Sequence, residues 1–93
     1  MPGAKQTTVD FGATLTQTGS FVVTDASVTS SSYVEAFMQG NDSTVDNSAL
    51  NHQMLASFGK FNTVPAAGSV TINCEIFGAL TLGTYVVRYV VSP

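Results

Sequence analysis

A chain of 93 residues is one domain's worth of polypeptide, long enough for a thin core. It is 44% hydrophobic and only 10% charged, with a net charge of −3 and a pI of about 4.5. Nucleic acid and anionic lipid are excluded as partners, because both call for clustered Lys and Arg, whereas Lys5, Lys60 and Arg88 are scattered.

Met1 to Gln6 reads as a flexible N-terminal segment ahead of a single domain over residues 7–93. The first eight residues lack the apolar run of a secretory signal, and no stretch approaches the roughly 18 apolar residues of a membrane span. Val9, Phe11, Ala13 and Leu15 share one parity, the mark of an extended segment with one buried face. Gly19-Ser20 reads as a turn, and Phe21 and Val23 open a second strand. Asp25 to Ser32 is polar apart from Ala26 and Val28, which suits a corner. Tyr33 to Met38 alternates again, with Tyr33, Glu35 and Phe37 on one side and Val34, Ala36 and Met38 on the other.

Asn41 to Ser48 is a polar loop that leads into a strand at about residue 53. Asp46 to Ser57 also offers Asp46 as a cap and Leu50, Met54 and Ser57 at helical spacing, but Asn47, Ser48 and Asn51 are poor helix formers, so one turn at most is expected. Met54, Ala56 and Phe58 share a strand parity instead. Thr63 to Gly68, with Pro65 and Gly68, reads as a connector. Ser69 to Phe77 is the clearest strand, with Val70, Ile72, Cys74 and Ile76 facing one way. Gly78 to Gly83 is of hairpin length. Thr84 to Ser92 is apolar on both faces, so this strand is central or covered by another chain. Six or seven short strands separated by turns predict an all-β fold, a small antiparallel β-sandwich or barrel with little or no helix.

The side chains offer little catalytic chemistry. Serine hydrolysis needs Ser, His and a carboxylate in convergence, and His52 is the single imidazole, with no G-x-S-x-G turn. Glu35 and Glu75 both fall on strands, but a domain this small has little room for a cleft between paired carboxylates. The oxygens of the Asn41–Asn47 loop match no calcium-loop spacing, and there is no glycine-rich phosphate loop. Cys74 stands alone and reads as a small buried hydrophobe. The chain is therefore expected to be no enzyme, to need no cofactor and to hold no metal.

Surface remains. So many rings in so thin a core imply exposed apolar area, and such area marks association. The candidates for an assembly interface are Tyr33, Phe37, Phe61, Phe77, Tyr85 and Tyr89, with Arg88 among them. Asn41, Asp42, Asp46, Asn47 and His52 are the candidates for a ligand-binding loop.

Several short motifs occur in order: Thr8-Val-Asp-Phe-Gly-Ala13, Ser32-Tyr-Val-Glu-Ala-Phe37, a polar loop ending in Asn51-His52, Ala66-Ala-Gly-Ser-Val-Thr-Ile72, and Gly83-Thr-Tyr-Val-Val-Arg-Tyr-Val-Val-Ser92. From about residue 7 onward this order resembles a group of small proteins of tailed bacteriophages associated with virion or tail-fibre genes. The resemblance implies a non-enzymatic structural component located in the virion, within a tail, fibre or capsid-decoration assembly. Its expected partners are copies of itself, a trimer being favoured, and other virion proteins. The alternative is a carbohydrate- or host-receptor-binding module at a fibre or spike tip, where exposed rings stack on cell-surface glycan. Neither reading involves nucleic acid or membrane insertion.

Overall fold

The computed structural model describes residues 4–92. In chain order the elements are β1 (Lys5–Asp10), β2 (Thr18–Thr24), β3 (Tyr33–Phe37), α1 (Ala49–Phe58), β4 (Gly59–Ala66), β5 (Ser69–Ile76) and β6 (Thr84–Ser92). They form two antiparallel sheets of three strands, ordered β1-β6-β3 and β2-β5-β4. The fold is the small all-β architecture that the period-two pattern predicts, with one short helix added.

The two central strands carry the core. Val70, Ile72, Cys74 and Ile76 of β5 face inward, as do Tyr85, Val87, Tyr89 and Val91 of β6, and all eight are buried. Ile72, Cys74 and Ile76 join Val9, Phe11, Tyr85, Val87 and Leu55 in one cluster, so side chains from both sheets interdigitate between the layers. A second cluster, Val28, Val34, Val70, Tyr89 and Val91, closes the other end. The edge strands β3 and β4 are stitched side to side by Thr63 Oγ1, which donates to the Val34 carbonyl at 2.6 Å. The strand that is apolar on both faces is central, as expected, with β1 on one side of it and β3 on the other.

Four local expectations are corrected. Lys5 and Gln6 already pair with Tyr89 and Arg88 in β1, so ordered structure begins inside the expected flexible segment, whose residues 1–3 lie outside those described. Gly19-Ser20 is no turn: both residues lie within β2, opposite Cys74 and Asn73. A Cβ at Gly19 would run into the rings of Phe21 and Phe11, which meet edge to face there at 5.0 Å, so the glycine makes room for aromatic packing. Thr63 to Ala66 belongs to β4, where Pro65 is tolerated because β4 is an edge strand and needs no N–H on its outer side. Gly78 to Gly83 joins strands of different sheets and so crosses the sandwich instead of closing a hairpin.

The largest difference is α1, which runs over ten residues where a loop and a strand are expected. Ser48, not Asp46, caps it: its side chain accepts from the Asn51 N–H at 3.2 Å. At the other end the Gly59 N–H returns to the Leu55 carbonyl. His52 and Leu55, three apart, are the residues the helix buries. Because one of these two anchors is a histidine, the apolar period of the helix is too weak to register.

Candidate functional site

Strand β6 is longer than β3. Their pairing ends at Phe37 opposite Arg88, which leaves the β3-side backbone groups of residues 84–86 without a strand partner. The loop Asn41–Ser48 and the first turn of α1 supply side chains in its place. Thr84 donates its N–H to Asp46 Oδ2 at 3.0 Å, and its carbonyl accepts from Thr44 Oγ1 at 2.7 Å and Asn47 Nδ2 at 2.8 Å. Asn47 Nδ2 also reaches the Leu82 carbonyl at 3.1 Å. The Val86 N–H donates to His52 Nε2 at 3.0 Å, so the proton of the neutral ring sits on Nδ1 and is given to the Ser48 carbonyl at 2.9 Å. His52 is fully buried, with its ring 4.9 Å from that of Tyr85.

This placement corrects the ligand-loop expectation. Asp42 grips Arg88 with both oxygens, Oδ1 to Nη2 and Oδ2 to Nε, each at 2.8 Å. The guanidinium holds the Asp42 carboxyl below its ordinary range, and Asp42 in turn raises Arg88. Asp42, Asp46, Asn47 and His52 are thus committed to β6, and Asn41 alone of the five is exposed with no side-chain hydrogen bond among the described residues. A histidine with both nitrogens engaged and no surface exposed is unfit as a base for an incoming substrate.

A second polar centre ties the opposite end of β6. Asp25 accepts from Lys5 Nζ at 2.9 and 3.1 Å, from Ser27 Oγ at 2.7 Å, from the Ser27 N–H at 2.9 Å and from the Tyr89 hydroxyl at 2.8 Å. These donors, Lys5 first, pull the Asp25 carboxyl far below its ordinary value. Burial, reinforced by the Asp25 acceptor, pushes Tyr89 up to about 12. Burial likewise raises Cys74 to about 11, which keeps the thiol protonated and inert.

The interface candidates divide. Tyr85 and Tyr89 are sealed in the core and unavailable to a partner, which corrects their assignment. Phe61 is partly buried against the main cluster, and Arg88 is held by Asp42. Tyr33 and Phe37 do project from the outer face of β3, beside Glu35, whose carboxylate accepts from the Tyr33 hydroxyl at 2.7 Å and raises that phenol. Phe77 is exposed as well. Glu35 and Glu75 point outward from different sheets, so they share no cleft.

An apolar surface feature lies elsewhere. Between α1 and the crossing loop runs a groove of about 240 Å³, walled by Met54 and Phe58 on the helix and by Leu80 and Leu82 on the loop, with Leu15 at its end. All five are substantially exposed. Leu50 extends the helical wall by one turn, and Phe77 adjoins it through its N–H bond to the Phe58 carbonyl. On the groove floor, Thr81 Oγ1 and the Tyr85 hydroxyl satisfy each other. Leu50, Met54, Leu80 and Leu82 are not aromatic, and a search for rings passes over them.

Among the described residues no three His, Cys, Asp or Glu side chains gather closely enough to hold a metal ion, and no helix is long and apolar enough to cross a membrane. The chain matches no family model, no curated protein and no solved structure.

Proposed function

We propose that this chain is a structural subunit of a bacteriophage virion, acting in a tail, fibre or capsid-decoration assembly through protein–protein contact and without catalysis. The virion placement rests on the resemblance carried by the ordered motifs. The contact function rests on one observation, the uncovered apolar groove between α1 and the 77–83 loop. A domain that can satisfy its polar groups this fully has no folding reason to leave seven large apolar side chains at one end in water.

The test is mass spectrometry of particles purified from a phage lysate in which the protein is made. Stoichiometric recovery with the particles is the expected outcome; its absence from washed particles defeats the reading. A second reading is favoured by the outer face of β3, where Tyr33 and Phe37 flank Glu35. Rings beside a fixed carboxylate suit a sugar, with C–H faces on the rings and hydroxyls on the acid. Glycan-array binding that disappears on Tyr33→Ala would favour receptor recognition, and a blank array would remove it.

A further inference from the structure

The apolar end commits to a particular partner. We infer that it is a self-association face, on which a second copy of this chain packs about a two-fold axis, α1 against α1. The inference rests on the assembly reading above and names the occupant of that same groove.

Three observations carry it. The first is area. The exposed apolar residues at this end retain between 39% and 62% of their accessible surface. With on the order of 200 Å² for a large apolar side chain, seven of them present roughly 600–700 Å². That exceeds the roughly 300–600 Å² of the largest patch on an ordinary monomer and approaches the roughly 800 Å² that each partner contributes to a stable interface.

The second observation is charge. The segments that build this end, residues 11–17, 49–58 and 77–83, contain no Asp, Glu, Lys or Arg. A partner of complementary charge has nothing to grip here, whereas an uncharged face meets its own copy with no like charges opposed and none buried unpaired.

The third is shape. Leu50, Met54 and Phe58 follow one another at four-residue steps and form a ridge along α1, and the groove lies immediately beside that ridge. A two-fold rotation lays each ridge in the other copy's groove, so one patch is both donor and acceptor of the contact. A three-fold ring joins two different patches head to tail, whereas seven of the twelve exposed large apolar side chains lie at this one end. Two-fold pairing is therefore proposed in place of the trimer favoured on the sequence.

Sedimentation of the purified chain tests this. Twice the 9.7 kDa protomer mass is expected, falling to the protomer mass in Met54→Lys, with unchanged circular dichroism and, at dilutions where wild type is also a single protomer, an unchanged melting temperature. Val64→Lys, on the opposite sheet's exposed edge strand, should leave the mass doubled. Met54→Cys places a thiol near the axis, so mild oxidation should give a covalent dimer within minutes, while Val64→Cys should give none. A wild-type monomer at millimolar concentration, a trimeric mass, or a dimer indifferent to Met54→Lys each overturns the pairing. A monomer that is nonetheless found in particles overturns the pairing alone and leaves the virion reading standing.

Discussion

Two neighbouring segments of the chain behave in opposite ways. The loop Asn41–Ser48 is almost wholly polar, yet it turns Asp42, Thr44, Asp46 and Asn47 inward onto β6. The helix that follows carries Leu50, Met54 and Phe58, yet it points them into solvent. The reason is the unequal length of the strands. Where β3 stops, backbone N–H and carbonyl groups of β6 need partners, and an unpaired buried backbone group costs more than an exposed leucine. Polar side chains are drawn in to finish the sheet, and α1 turns His52 and Leu55 toward the core as its anchors. Its remaining apolar residues are left exposed outside.

Breaking the inward half of this contrast should have the largest effect. His52→Ala leaves the Val86 N–H without its acceptor and opens a void against Tyr85, so a loss of about 3 kcal/mol is expected from urea unfolding. Leu55→Ala removes the other anchor of the helix and should cost a similar amount, about 3 kcal/mol. A loss below about 1 kcal/mol in either variant would mean that α1 is not held to the core as described.

Acid should act next. Asp25 and Asp42 both titrate below their ordinary range in the folded chain. The unfolded chain therefore binds protons first as pH falls, so the stabilisation these carboxylates provide is complete above about pH 4 and drains away below it as the folded groups protonate. Urea midpoints should accordingly hold level from pH 7 to 5 and fall steeply toward pH 2. Asp25→Asn should cost about 2 kcal/mol at pH 7 and flatten that fall, because it removes the charged acceptor of Lys5, Ser27 and Tyr89. A wild-type curve that does not bend below pH 4 would contradict the network.

Much of the sandwich is legible in the amino-acid pattern, for a reason that also limits what can be read. Strands β5 and β6 bury alternate apolar residues, and period two survives without knowledge of what they pack against. The central position of β6 follows from its two apolar faces. The helix does not show, because its inward period consists of His52 and Leu55, and the more frequent apolar residues mark the wrong side. Nor can spacing reveal that Asp42 reaches Arg88, or that Asn47 reaches the Leu82 carbonyl, since those pairs meet only after the sheets have stacked. A ring in the sequence does not say whether it faces a partner or the core, and β6 uses Tyr85 and Tyr89 for its own core. The apolar groove is built of leucine, methionine and phenylalanine from segments far apart in the chain, so it exists only in the fold.

Smaller effects sharpen the contrast further. Ser48→Ala removes the acceptor at the start of α1 and should lower stability by about 1 kcal/mol, enough to show that the cap, and not Asp46, starts the helix. Met54→Gln, two residues beyond His52, should change stability by less than about 0.5 kcal/mol when measured at concentrations where the protomer is alone. Glutamine keeps the helix propensity and nearly the length of methionine, so it tests only whether the thioether is buried by its own chain. At concentrations where copies pair, the same variant should lower the melting temperature relative to wild type, because the native dimer gains stability by mass action and the variant does not. A Met54→Gln penalty that is the same at every concentration would place that side chain in the protomer's own core and erase the distinction between the polar residues turned in and the apolar residues turned out.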